Sequence, residues 1–245
     1  VKHLAGEAPE VRRELGELWA FRARAEGNAA ERFARLAAGL EQTGAPGAWI
    51  EEAREASREE RAHEALCWSV ARGFGVSDVP GLIASEVRGP AEGTRERVLR
   101  ELVAICCISE TLNVRVMAAS LVMTRDPELR RVQKEILRDE VGHSALGWRY
   151  LERETSARER GAVGSWLPGM LGLDSRHRLF QEVAPHPKEG RLRELGCLPR
   201  RDLRGLFVTT LERRIFPHLE ALGVPTTEAR VRLGEACHGG GERLV

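Results

Sequence analysis

The sequence predicts an all-α protein: a four-helix bundle with one crossover connection, followed by a helical C-terminal extension. Three observations carry this. Ala, Leu, Glu and Arg dominate the 245 residues, while Tyr and Phe number only one and six, a mix that favours helices over sheets. Apolar residues recur at helical spacing through four long stretches, and no alternating, strand-like run of useful length occurs. Gly- and Pro-rich breaks separate the stretches, and the longest break lies between the second and third, where a bundle places its crossover.

The first helix is expected from about Pro9 to Leu40, with a stripe of Leu15, Trp19, Ala23, Ala30, Phe33, Ala37 and Leu40. The segment TGAPG ends it. The second is expected from about Trp49 to Ala71 and is stopped by Gly73 and Gly75. Residues 76–94, rich in Gly, Pro and Ser, read as the crossover loop. The third helix, from about Thr94 to Thr124, contains LVAICCISETLNVRVMAASLVM and is apolar nearly all round, which marks a central, buried helix. The fourth opens on Asp126-Pro127-Glu128, an N-cap, a first-turn proline and a first-turn acid, and runs to about Glu154. The bundle therefore occupies 9–154.

Residues 155–245 are expected to form a helical extension packing on the bundle. Gly161, Gly164, Pro168, Gly169, Gly172, Pro185 and Pro187 predict an irregular first part, 155–198, placed as a lid or an access route to a site. A helix is expected from Pro199 to Leu222, kinked at Pro217, and the tail CHGGGERLV reads as frayed.

Charged residues make up 31% of the chain and the formal net charge is +1. Acidic and basic residues are interleaved, so there is no global basic field of the kind that marks a nucleic-acid binder. Charges interrupt the longest apolar stretches before a membrane span is reached, and VKHLAGEAPEVRRELGE lacks the apolar segment of a secretory signal. The five cysteines, Cys67, Cys106, Cys107, Cys197 and Cys237, include no C-x-x-C pair and read as small apolar residues of a reduced protein. A soluble, cytoplasmic protein is the expectation.

One constellation carries chemistry. The first helix offers Glu26 and the second Glu60-Arg61-Ala62-His63. The third offers Glu110 and the fourth Glu140-Val141-Gly142-His143. Residues three apart on a helix project from one face, so each Glu-x-x-His can address one metal or bridge two. One Glu from each of two helices plus a Glu-x-x-His from each of the other two is the ligand set of di-iron and di-manganese carboxylate bundles. Carboxylate oxygen and imidazole nitrogen suit those metals. Glu26 shares its face with Trp19, Ala23, Ala30 and Phe33, and Glu110 follows Val103 and Cys106 and precedes Val114 and Met117. Four carboxylates on one core axis require cations to neutralise them. A third match, Glu235-Ala236-Cys237-His238, has no partner carboxylate and reads as coincidence. Glu59 and Asp139 each precede a motif Glu. A metal-bound His donates its other ring N–H to a carboxylate, so a cross-bundle pairing of Asp139 with His63 and of Glu59 with His143 is expected.

With these residues in view, the chain resembles the ferritin-like superfamily, and more narrowly a group of bacterial ferritin-like domain proteins. The matching segments are AEGNAAERFARLAAGLEQTGAP, SREERAHEALCWSVA, CISETLNVRVMAA and ILRDEVGHSALGWRYL, spanning about 19–154. ELGCLPRRDLRGLF and FPHLEAL resemble the C-terminal helical part of the same group. The resemblance implies that Glu26, Glu60, His63, Glu110, Glu140 and His143 hold the metals. Gly27-Asn28, poor helix material after Glu26, departs from the pattern and suggests a bend or a pocket wall.

Ferritin-like bundles host many activities. One His per motif resembles oxygen-activating enzymes more than storage ferritins, and the absence of C-x-x-C argues against a rubredoxin-type attachment. The leading expectation is a non-haem di-iron oxidase or oxygenase. It would use two iron ions (Mn/Fe or Mn/Mn being the other pairings of the same ligands) and O2 as co-substrate. Its substrate would be a small or carrier-bound organic molecule, its electron donor external, and a homodimer is compatible with Trp166, Leu167 and Met170 as a partner surface. The alternatives are a ferroxidase without an organic substrate and, third, a tRNA-modifying hydroxylase reading RNA through Arg200, Arg201, Arg204, Arg213 and Arg214. Cys106, Cys107, Met117 and Trp68 are candidates to line a substrate cavity, with simple core packing the favoured role for each, and Tyr150, the only tyrosine, is expected to pack rather than hold a radical.

Overall fold

The structure, a computed structural model, describes residues 2–78, 93–171, 178–181 and 184–238. Among the described residues there is no strand. Helix α1 spans Pro9–Gln42 and opens on Pro9, whose missing N–H falls where no intrahelical partner exists. It runs unbroken through Gly27-Asn28. Gly27 faces α2, where a side chain would press within 2.7 Å of the Glu64 carboxylate, so this glycine allows a close approach and does not bend the helix. Gly44, at φ +70°, turns the chain into α2, Gly47–Gly73. The crossover expected at 76–94 lies largely outside the described residues.

Helix α3 spans Thr94–Met123 and is not a regular α-helix. Between the α-helical segments Thr94–Leu102 and Thr111–Met123, residues Val103–Glu110 form π-type turns. Ser109 Oγ donates to the Ala104 carbonyl, five residues back, at 2.9 Å. The wide turns are buried on every side from Leu102 to Ile108. By length and composition α3 could cross a membrane, but half of its apolar window is buried and it packs against α1 and α4, as the core helix of a bundle does. Helix α4, Pro127–Arg153, is capped by Asp126, which accepts from Leu129 N at 2.9 Å. α1 packs on α2, α2 on α4, α4 on α3 and α3 on α1, closing a four-helix ring.

The C-terminal part corrects one expectation. The stretch with Gly161, Gly164, Pro168 and Gly169 is the helix α5, Ala157–Met170. A reciprocal cap starts it: Ser156 N donates to Glu159 Oε2 at 2.7 Å and Glu159 N to Ser156 Oγ at 3.3 Å. Gly164 lets Pro225 approach so closely that a Cβ would come within 2.7 Å of its carbonyl oxygen. A proline inside a helix costs about 3 kcal/mol, offset here by burial of Val163 and Leu167. Leu167 is core and not a partner surface, and Trp166 lies under Arg100, whose guanidinium is 4.7 Å from the ring centre. Helix α6 follows at Glu189–Glu194.

Helix α7 covers 200–221, and its expected kink at Pro217 takes the form of a π turn over Leu211–Ile215, just before the proline. Pro217 has no N–H to donate and its ring crowds the carbonyl four residues back, so the helix widens upstream. Helix α8, Thr227–His238, carries the third Glu-x-x-His. The last residues of the tail, 239–245, lie outside the described residues. One apolar cluster joins Phe33, Leu40 and Tyr150 of the bundle to Val163, Leu167, Phe216 and Leu233 of the extension.

Candidate metal centre

The bundle brings the six sequence-derived residues to one level of its core. Glu26, Glu60, His63, Glu110, Glu140 and His143 are all buried, with Glu60 and Glu140 at 0% exposure. Ligand atoms of Glu26, Glu60, His63 and Glu140 lie within 4.8 Å of one another. His63 Nδ1 is 3.5 Å from Glu60 Oε2 and 3.6 Å from Glu140 Oε1. His143 Nδ1 is 3.0 Å from Glu60 Oε1 and 3.3 Å from Glu140 Oε2. Each imidazole thus faces one oxygen of Glu60 and one of Glu140, and the two central carboxylates are split between two positions. Glu26 closes the position beside His63. Glu110, hydrogen-bonded to Glu140 and close to His143, closes the other.

The far side of each ring is fixed by a carboxylate from the neighbouring helix. His63 Nε2 lies 3.2 Å from Asp139 Oδ2, and His143 Nε2 lies 2.9 Å from Glu59 Oε2. With Nε2–H donating outward, each Nδ1 faces the centre, where it would offer its lone pair to a metal that displaces its proton. Phe33, with its ring centroid 5.3 Å from that of His143, packs the inner face.

Electrostatically the centre is built for cations. Burial, reinforced by the charges of Glu60 and Glu140, pushes the Glu26 carboxyl well above its ordinary range. Burial together with Glu140 and Glu60 does the same to Glu110. Burial opposes ionisation of Glu60 too, but the His143 and His63 imidazoles, 3.0 and 3.5 Å away, outweigh it and hold its pKa at about 2. His143 is pushed up to about 11, because bonds to Glu140 and Glu60 override burial, and His63 moves in the same direction. Both oxygens of Glu60, one of Glu140 and His63 Nδ1 are buried with no hydrogen bond of good geometry. Such orphaned donor atoms are normally satisfied by water or an ion. Four carboxylates and two imidazoles with Nδ1 turned inward fit a pair of divalent cations.

A cleft of about 390 Å³ opens onto the carboxylate edge of this centre, between α1 and α3. Glu26 and Glu110 form part of its wall, with Leu18, Phe21, Arg22, Asn28, Ile105, Asn113, Leu198 and Leu203 around them. Of the candidates for its lining, Cys106, Cys107 and Met117 take the favoured role of packed core residues, and Trp68 is flanked by Arg24 and Arg72 at 5.8 and 5.9 Å. Asn28 does stand in the wall, one of the two roles its odd sequence context suggested. Leu198 comes from the end of the segment expected to form a lid. No spacing rule links it or Leu203 to residues near Glu26. Tyr150 is buried away from the cleft, edge-on to Trp49 at 5.3 Å, and accepts a hydrogen bond from Arg95. Of the arginines considered for RNA, Arg201 is tied to Glu189 and Arg204 to the Cys237 carbonyl, while Arg213 and Arg214 are exposed.

A helical ring enclosing four carboxylates and two imidazoles at one level defines the class: a ferritin-like four-helix fold with a helical extension. Among solved structures the chain is similar to one described as Protein 19 with aldehyde deformylating oxidase activity, from Synechococcus. The two share 21% sequence identity with a TM-score of 0.58, over 92% of this chain and 97% of that one. At this identity the likeness carries the fold. No family model and no curated protein sequence matches the chain.

Proposed function

We propose that the protein is a non-haem dimetal-carboxylate oxidase or oxygenase, using two iron ions and O2 on an organic substrate. The observation that supports this most directly is the split of Glu60 and Glu140 between two imidazoles. In this reading Glu26, Glu60, His63, Glu110, Glu140 and His143 would hold the two ions, with Glu26 on the His63 side and Glu110 on the His143 side. Glu59 and Asp139 orient the two rings. Two bound ferrous ions would supply the electrons and Lewis acidity that direct O2 at an organic substrate.

The chain's own contribution is positional. Burial favours the protonated form of Glu26 and Glu110 in metal-free protein, so these residues would give up protons to serve as anionic ligands. The apolar packing around the imidazoles excludes water, and the cleft gives an organic molecule access to the Glu26–Glu110 edge. A soluble, cytoplasmic enzyme suits the five free cysteines.

The test is anaerobic reconstitution with Fe(II), metal analysis, and O2 uptake with and without a panel of small organic substrates. Two irons per chain and substrate-accelerated uptake are expected. Retention of both metals by Glu60→Ala and His143→Ala would sink the ligand assignment. Rapid Fe(II) oxidation indifferent to every substrate would leave a ferroxidase and remove the oxygenase.

A further inference from the structure

The cleft over the carboxylate edge has an unbalanced charge. Arg22 lines it one helical turn before Glu26, about 6 Å along α1. The neighbouring arginines on the helix are paired: Arg24 with Asp78, and Arg32, also in the cleft wall, with Glu101 at 2.6 Å. Arg22 forms no salt bridge with a carboxylate among the described residues, and the Glu26 charge acts on it only from beyond contact distance. Its guanidinium rests over the Trp19 ring, 5.1 Å from the centre, and against the Met117 sulfur. An aromatic face and a thioether are weak partners for a full positive charge. Burial pulls the Arg22 pKa down, but from a starting value so high that the charge persists at physiological pH.

The metal centre does not supply the missing anion. With two divalent cations bound, four carboxylates neutralise them and the imidazoles enter neutral. Glu26 and Glu110 are then committed to metal, and the Arg22 charge is left over. Around it the cleft is mixed: Leu18, Phe21, Leu198 and Leu203 offer apolar surface, and Asn28 and Asn113 offer amides. Phe21 is 51% exposed, so about half of its ring surface is open at the cleft.

We infer that Arg22 reads an anionic head group: the substrate of this centre is an organic monoanion, a carboxylate, whose head pairs with the Arg22 guanidinium and whose apolar part lies along Leu18, Phe21, Leu198 and Leu203. Guanidinium matches carboxylate geometry in a bidentate fork, and one uncompensated positive charge calls for one negative charge. The inference rests on the dimetal reading for where the substrate reacts, but not for what Arg22 binds.

The experiment is calorimetric titration of octanoate and of its neutral isostere octanamide into wild-type protein, Arg22→Met and Arg22→Lys, each metal-free and loaded with redox-inert Zn(II). Wild type is expected to prefer octanoate by 10- to 100-fold, the range of a charge-assisted pair. Arg22→Met should abolish the preference while still binding octanamide, and Arg22→Lys should keep part of it. Circular dichroism establishes that both variants fold, and if Arg22→Met does not, the comparison of the two probes on wild type and Arg22→Lys decides. Equal affinity for the two probes on wild type, no binding of either at millimolar concentration, or an undiminished preference in Arg22→Met would overturn the assignment. Zinc stoichiometry is read separately. A chain that takes up no metal but keeps its octanoate preference counts against the dimetal reading alone, and a chain that loads zinc without the preference counts against Arg22 alone.

Discussion

Glu59 and His143 meet across the interface of α2 and α4, with Glu59 Oε2 2.9 Å from His143 Nε2. Asp139 and His63 repeat the relationship in the opposite direction at 3.2 Å. Each Glu-x-x-His helix therefore orients the imidazole of the other. Carboxylates in this role are worth about 10- to 100-fold in metal affinity. Asp139→Asn is expected to weaken the His63 position, and Glu59→Gln the His143 position, by that factor. Competition titration against a chelator of known affinity measures it, and unchanged affinity in both variants would deny the two carboxylates an orienting role.

The division of the centre into two positions predicts unequal losses. Glu60→Ala and Glu140→Ala each remove an oxygen from both positions, so both metals should be lost. Glu26→Ala and Glu110→Ala each open one position, so about one metal per chain should remain. Metal analysis after gel filtration separates these outcomes. Equal loss in all four variants would mean that the carboxylates act as one pool.

In metal-free protein the centre makes stability depend on pH in a definite direction. Burial, then neighbouring carboxylates, raises Glu26 and Glu110 above the ordinary 4.5. Their contribution to stability is fully present below the unfolded value and is lost as pH rises through the raised one. His143, pushed up from 6.5 to about 11, and His63, raised in the same direction, also lose their contribution as pH rises. Glu60, held at about 2, loses its contribution only in strong acid. The thermal midpoint of metal-free protein should therefore fall between about pH 5 and pH 9, while metal-loaded protein, whose ligands are already deprotonated, should vary much less. Parallel melting curves for the two forms across that range would refute the argument.

Gly147 predicts a packing effect. It lies one turn beyond His143, against the π-type turns of α3, where a Cβ would stand 2.5 Å from Cys106 Cβ and 3.2 Å from the Cys107 backbone nitrogen. Neither is the end of a flexible side chain, so helix α3 or α4 must shift. Gly147→Ala should cost about 1–3 kcal/mol and lower metal occupancy, because the displaced turns carry Glu110. Chemical denaturation together with metal analysis checks both. A stabilised variant, gaining only the helix propensity of alanine, would show that the contact relaxes freely.

What the sequence disclosed and what it hid divide along physical lines. The twin Glu-x-x-His motifs are local, so their spacing alone placed each pair on one helix face. Glu26 stood out among the glutamates of the first helix because its face also holds Trp19, Ala23 and Phe33. The π-type turns were hidden because Val103 to Ile108 are buried on all sides, and a run without a polar face carries no record of its own periodicity. Helix α5 was hidden because Gly164 and Pro168 are local helix breakers, and the pressure that overrides them comes from Pro225 and the distant core. The Ser156–Glu159 cap was a legible signal. The cleft wall was beyond reach, since Leu198 and Leu203 meet Leu18 and Phe21 only after the extension has folded back on the bundle.

The widened stretch of α3 has a consequence for engineering the chain. A π turn contains one residue more than the α-turn it replaces, and one residue of α-helix corresponds to about 100° of rotation. The wide turns between Val103 and Glu110 therefore absorb a residue that uniform α geometry would turn into a rotation of Glu110, and everything after it, by about that angle relative to Leu102. Deleting one residue between 103 and 109 is expected to close the turns while leaving Glu110 facing the cluster, so this is the one place in the helix where the chain can shorten without losing its fourth carboxylate.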